Sequence, residues 1–402
     1  MHIRLQLNST KLFAWCAALF ALVLLVGILT STRERIYDER YHLERVDELA
    51  AGRPWRDIFT EKSPSAVGPI FPLSSALIGC ITPDVRAVRL FVWLSAIGVY
   101  FLTAFLLKQS KSTGAAPLPA ALLLGCTPFV VSGALALTEM LALAFALGAF
   151  AMVWAPWNRL ARIILSGTLF ALAVLTRQTS LIFALPLAAL WYAVERIKFV
   201  ELILLAVLPT VALETLLMLW GGLTPPGQEH LSGGFSLPHV IQAGIYCAVM
   251  GCIINPGYVL NRWMLVALST TLIGNIALGL IEEPVLLTLF PEHSYSAAIF
   301  SRAFFGAGIG LAFGYFFSVA AEAWANRSTT DAVWIGSAVL VIISCGAIVA
   351  QFSSRYVVAA IPFLLLLGRN RAYPIGAKLA LALMIVGFLL GINALRGYAL
   401  WV

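Results

Sequence analysis

Charge is what this sequence has least of. Only 11% of its 402 residues are charged, where soluble domains carry about 25%. A water-covered single domain is excluded on that ground. Acids are scarcer still, 19 against 26 Lys and Arg. Cysteine is sparse: the six (Cys16, Cys80, Cys126, Cys247, Cys252, Cys345) lie in apolar runs and none forms a CxxC pair, so neither a zinc site nor a disulfide framework is suggested. P-loop, Rossmann, HExxH and GxSxG patterns are missing too.

Long apolar runs are what is there. The chain is 61% hydrophobic with mean hydropathy +0.93, the composition of a multi-span membrane protein. The predicted fold class is all-α: a polytopic membrane helix bundle of about 12–13 transmembrane helices. The predicted spans are 12–30, 85–107, 117–134, 138–156, 160–176, 178–194, 199–220, 238–256, 260–280, 296–320, 331–351, 355–368 and 376–396, each judged against the roughly 20 residues that cross a bilayer. No cleavable leader pattern is visible, and one membrane domain over 1–402 without a separate catalytic domain is expected. Gly68 to Ile81 is apolar but too short to span and carries Pro69 and Pro72, so it reads as a segment dipping in from one side.

The net charge of +7 does not point to nucleic acid. With the N-terminus in the cytoplasm, Lys108, Lys111, Arg159, Arg162, Arg196, Lys198, Arg262, Arg327, Arg369, Arg371 and Lys378 all fall in inner loops, as the positive-inside rule requires. The acids then gather on the other face. Eight of them (Glu34, Asp38, Glu39, Glu44, Asp47, Glu48, Asp57, Glu61) lie in the first outer loop, residues 31–66.

Within that loop, residues 37–51 read as an amphipathic interfacial helix. Asp38 and His42 share one face; Leu43, Val46 and Ala50 share another; Arg40, Glu44, Asp47 and Glu48 face water. The plain reading, a charged surface helix without chemistry, stands beside the functional one. Glu61-Lys62-Ser63-Pro64 precedes a proline-stiffened stretch that forms either a cleft wall or a loop cap. Glu139 sits where one apolar run gives way to the next, and an acid there is a functional hypothesis by default. Glu214, deeper in its span, reads as a structural partner of Arg177 or Arg302. Thr176-Arg177-Gln178-Thr179 is a tight corner whose arginine suits a phosphate or an interfacial anchor. Ser354-Arg355-Tyr356 is a similar corner, and the turn-rich loop through Gln228, Glu229 and His230 is a connection or a site.

Taken in order, these motifs resemble the GT-C glycosyltransferases, membrane enzymes that use polyprenyl- or dolichyl-phosphate sugars. The likeness is nearest to the dolichyl-phosphate-glucose α-1,2-glucosyltransferase branch. That branch has an Asp-Glu-x-x-His element, matched by Asp38-Glu39-Arg40-Tyr41-His42, then a proline-rich stretch, loosely matched from Lys62-Ser63-Pro64 to Pro72. Its Arg-Gln-Thr and late Arg-Tyr corners are matched by Arg177-Gln178-Thr179 and Arg355-Tyr356. The chain departs from the pattern in being shorter, in having Ser180 where an asparagine is expected, and in lacking Thr-Pro-Pro-Gly after Lys62.

The resemblance implies an inverting transfer on the extracytoplasmic side, in a multi-pass protein of the bacterial inner membrane with its site facing the periplasm. Asp38 is the implied general base, and Glu39 orients the acceptor or holds Asp38. Arg177 and Arg355, with Lys62, are the implied phosphate-binding cations. His42, Glu139, Gln178, Tyr356, Glu229 and His230 are the substrate-binding set. The expected partners are a polyprenyl-phosphate sugar, a glycan or lipid-linked acceptor, and membrane lipid. A divalent metal held by Asp38, Glu39, His42 and His230 is permitted by the residue types and not demanded by their spacing. From the residues alone a transporter or lipid flippase and a non-enzymatic scaffold stay open.

Overall fold

The computed structural model describes residues 2–36, 38–62, 65, 67–82, 84–110, 120–228, 234–254, 258, 262–278, 295–348, 352–367 and 377–400. Among these every regular element is helical. Backbone amides and carbonyls in hydrocarbon must be satisfied within their own segment, which leaves the helix as the available form for such apolar runs.

In chain order the helices are α1 (His2–Thr30), α2 (Glu39–Ala50), α3 (Trp55–Thr60), α4 (Ile70–Gly79), α5 (Val85–Gln109), α6 (Thr127–Ala134), α7 (Glu139–Ala151), α8 (Arg159–Thr176), α9 (Ala184–Glu195), α10 (Phe199–Trp220), α11 (Leu237–Ile254), α12 (Arg262–Leu278), α13 (Tyr295–Ala325), α14 (Thr329–Ser344), α15 (Ile361–Leu367) and α16 (Ala377–Leu400). Tight 3-10 turns fill Leu122–Gly125, Gln178–Phe183 and Ser354–Ala360.

Where the described residues cover them, all thirteen predicted spans fall on helix, but not all are spans of their own. Among the described residues nine helices are long and apolar enough to cross a membrane, or ten with a bent pair counted as one. That pair is α6 and α7, predicted as two spans and joined here at 109°. α12 and the Ser354–Leu367 segment are apolar but shorter than a span. The chain is a multi-pass membrane protein by these helices. α4 has 10 residues, about 15 Å at 1.5 Å per residue, so it stops well short of crossing, as its sequence predicts.

α6 and α7 lie at the centre, with nearly every side chain buried. α1 and α10 lie outside: Leu19, Leu22 and Val26, and Ile203, Val207 and Val211, are exposed along them, the apolar surface that lipid covers. A ring cluster closes the interior. Phe150, Phe183 and Phe363 pack with centroids 5.2–6.2 Å apart, and Trp334 stands 5.8 Å from Phe150.

Two ends of the bundle differ chemically. At one, Arg159 pairs with Glu201 at 2.6 Å and Arg162 with Glu195 at 3.0 Å. At the other stand α2, the break between α6 and α7, the C-terminus of α8 and the corner at Ser354. α2 covers Glu39–Ala50 with Leu43 and Val46 buried and Arg40, Glu44 and Asp47 exposed, the predicted amphipathic pattern. Ala50, expected on the apolar face, is exposed at the helix end.

Candidate active site

Asp38 is the N-cap of α2, yet its side chain makes no capping bond. An Asp cap contributes about 1 kcal/mol. Here the carboxylate turns away and bonds Arg355 instead, through Oδ2 and Nη2. Arg355 comes from the 3-10 turn Ser354–Ala360 and is 5% exposed. Its Nε lies 3.6 Å from Glu139 Oε1, and the same oxygen takes Arg177 Nη1 at 2.8 Å. Four groups from four segments therefore form one chain: Asp38, Arg355, Glu139, Arg177. Two cations and two carboxylates balance within it.

Each member is placed by a local break. α8 ends at Thr176, and Arg177 is extended with its amide still bonded to the Ala173 carbonyl at 2.9 Å. Its guanidinium also donates to Thr138 Oγ1 at 3.2 Å and Thr179 Oγ1 at 3.3 Å. Glu139 opens α7, where the helix N-terminus favours an acid. The Tyr356 ring has the Arg355 and Arg177 guanidinium carbons 5.2 and 5.6 Å from its centroid. A cavity of about 50 Å³ adjoins, lined by Glu139, Arg177, Thr179, Ser180, Phe183 and Tyr356 among others. That is room for a few water molecules and not for a sugar ring, so a sugar enters only as the crevice widens.

His42 abuts the same groups. It is buried, and its Nδ1 is 2.6 Å from Ser65 Oγ while Nε2 has no partner among the described residues. Burial, with Arg355 and Arg177 adding to it against Asp38 and Glu139, pulls its pKa down from 6.5 to about 4. The imidazole is neutral at pH 7 and presents an unused nitrogen.

Other expected residues sit elsewhere. Glu39, expected to orient an acceptor or to hold Asp38, is 0% exposed and bonded to Arg89. Lys62 is exposed and its side chain joins no ion pair among the described residues; its carbonyl accepts from Arg45 at 2.7 Å. Gln178 is half-buried, with an amide oxygen that has no partner among the described residues. Glu214 is exposed on α10, and Arg177 pairs with Glu139 in place of it. Glu229 and His230 lie outside the described residues. No three metal-ligating side chains converge among the described residues, and the Asp38 and Glu39 carboxylates are each committed to an arginine.

Two buried arginines escaped the sequence reading. Arg89 and Arg45 are 1% and 5% exposed. The signal for Arg89 is an arginine inside an apolar run, costly unless paired; nothing in its neighbours names the partner fifty residues away.

No protein-family model and no curated protein matches the chain. Among solved structures it is similar to ArnT from Cupriavidus metallidurans, in the apo state and bound to undecaprenyl phosphate. Each likeness has 13% identity and a TM-score of 0.43, covering 89% of this chain and 76% of that one. It is similar also to the Archaeoglobus fulgidus oligosaccharyltransferase tethered with an acceptor peptide, at 16% identity and TM-score 0.50, over 94% of this chain and 54% of that one. That last likeness is one of fold alone, in keeping with the all-helical architecture of the described residues.

Proposed function

We propose that this chain is a membrane glycosyltransferase that moves a sugar from a polyprenyl-phosphate donor to an acceptor hydroxyl, with inversion, on the extracytoplasmic side. The observation that carries the reading is the chain of ion pairs Asp38–Arg355–Glu139–Arg177. It unites a candidate base with two candidate anion-binding forks at helix ends, beside a mostly apolar crevice. Transporters concentrate polar sites near the bilayer midplane; these groups gather at one end of the bundle, at the start of α2, the α6–α7 break, the end of α8 and the Ser354 corner. The Asp-Glu-x-x-His element favours a relative of the dolichyl-phosphate-glucose branch.

The chemistry follows from the groups. The acceptor oxygen attacks the anomeric carbon and the bond from that carbon to the phosphate oxygen breaks. Asp38 takes the hydroxyl proton, a role that contributes about 10²–10⁴-fold. The lipid phosphate leaves with the bonding pair, and Arg355 and Arg177 stabilise its charge. Arg355 is bonded to Asp38 before the donor arrives. A phosphate that takes Arg355 frees the base, so donor binding prepares the attack. His42 and Tyr356 offer a neutral nitrogen and an aromatic face to the sugar, with Glu139 and Gln178 completing its surroundings.

The test is to reconstitute the purified protein in nanodiscs, offer a panel of lipid-phosphate sugars and acceptors, and follow lipid-phosphate release. Release that needs an acceptor and is lost in Asp38→Asn supports the reading. Equal release from Asp38→Asn, or none from the wild type with any donor, overturns it.

A further inference from the structure

Glu39 and Arg89 form a closed knot. Arg89 donates from Nε to Glu39 Oε1 at 2.8 Å and from Nη2 to Oε2 at 2.6 Å. Its remaining N–H groups go to Ser31 Oγ at 2.8 Å, the Thr32 carbonyl at 2.7 Å and the Glu34 carbonyl at 2.8 Å. A guanidinium has five donors, and all are used. Glu39 is equally full: Oε1 also accepts the Ala136 amide at 2.8 Å, and Oε2 the Ile36 amide at 3.0 Å. The side chains are 2% and 0% exposed.

The backbone groups held this way come from two places. Thr32, Glu34 and Ile36 belong to the link that delivers Asp38. Ala136 belongs to the break that delivers Glu139. The knot therefore ties together the two stretches whose acids flank Arg355. Its α5 member, Arg89, comes from a helix that supplies nothing to the site itself.

We propose that Glu39 and Arg89 are positioning residues, which set Asp38 and Glu139 at the separation where both engage Arg355, and that Glu39 never meets substrate. This rests on the reading of that cluster as the reacting site. A buried pair that served stability alone could be exchanged for apolar side chains without loss, since such exchanges are often neutral or stabilising. A positioning pair could not, because the Ile36 and Ala136 amides would lose their common anchor.

The experiment uses the full chain in nanodiscs and two readouts. Hydrogen exchange is measured over 31–42 and 134–141 in Glu39→Gln. Both segments should exchange roughly tenfold faster, while α10 is unchanged. Unchanged exchange in either segment overturns the proposal. If Glu39→Gln does not fold, Arg89→Lys keeps the charge, loses part of the fork, and is read identically. The second readout is the double variant Glu39→Leu with Arg89→Met. Its kcat should fall about 10²-fold, as for a small misplacement of reacting groups, with the donor KM unchanged and melting near that of the wild type. Wild-type kcat in the double variant reduces the pair to a stability element and overturns the proposal. A wild type that transfers no sugar defeats the proposed function, and the exchange readout still decides this one.

Discussion

Asp38 and Arg355 are joined by an ion pair across 317 positions of sequence. The first prediction tests both partners at once. Asp38→Asn removes the base, so transfer should fall by about 10²–10⁴-fold. The same change removes the carboxylate bonded to Arg355 Nη2, so lipid phosphate should bind more tightly. Opposite signs on turnover and on affinity, measured by product formation and by titration with the lipid phosphate, separate this arrangement from simple damage to the fold. Affinity that falls along with turnover would count against it.

Arg355 carries a second prediction. Arg355→Met leaves Asp38 and the buried Glu139 short of a cation, and breaking a buried pair in this way costs about 3–5 kcal/mol. The variant should melt early or fail to accumulate. Arg355→Lys keeps a charge without the planar fork. It should fold, and its affinity for lipid phosphate should drop by about tenfold, the value of roughly one charge-assisted hydrogen bond. Wild-type affinity in Arg355→Lys would remove Arg355 from phosphate binding.

How much of this was readable in advance divides along a physical line. Glu139, Arg177 and Arg355 each announce themselves locally, as charge at the end of an apolar run, where burial is costly and therefore informative, and Asp38 does so through its Asp-Glu-x-x-His element in a charged loop. Their meeting could be guessed only because they share one face of the topology. The burial of Glu39 was not legible for the same reason that Arg89 was missed: the carboxylate's surroundings depend on a partner fifty positions away, and no local spacing encodes that. Hydropathy found every long helix, but it reports length and composition, not direction. The break between α6 and α7 is marked by Thr138 and Glu139, and two spans are predicted across it, but its 109° angle is not encoded in hydropathy. Lys62 looked like a phosphate ligand from its place before a proline-rich stretch, and Arg45 decides its position by bonding its carbonyl.

A third prediction concerns pH. The unfolded His42 takes a proton below its ordinary 6.5, whereas the folded imidazole resists until about 4. Between those values the unfolded state binds more protons, so stability falls as pH falls. The contribution is whole above 6.5, is lost progressively down to about 4, and stays lost below it. Its full size is about 3 kcal/mol, at 1.36 kcal/mol per pKa unit. Asp38, Glu139, Arg355 and Arg177 face the ring and are present in both proteins, so the comparison is with His42→Gln. The wild type should lose melting temperature more steeply than the variant on acidification through that window. Parallel curves would mean that His42 is not held neutral.

The last prediction concerns the wall behind Arg177. Gly68 approaches the end of α8 so closely that a Cβ there would meet the Leu175 carbonyl oxygen at 2.1 Å and its carbon at 2.7 Å. Its amide bonds the Thr176 carbonyl at 3.2 Å. Both contacts are to backbone, which cannot rotate away as a side chain would. Gly68→Ala must therefore push either its own loop or the corner that aims Arg177. Overpacking of this kind costs about 1–3 kcal/mol, and the arginine one residue further on should lose its grip on Glu139 as well as on phosphate. Gly98, inside α5, has nothing within 4 Å of an added Cβ, and alanine there should be neutral or stabilise by up to about 1 kcal/mol through helix propensity. The pair is measured by melting temperature and by lipid-phosphate affinity. A lowered value of both in Gly68→Ala, with neither lowered in Gly98→Ala, ties the geometry of the α8 corner to anion binding; equal behaviour of the two variants would show that the corner tolerates displacement and that Arg177 is not aimed by it.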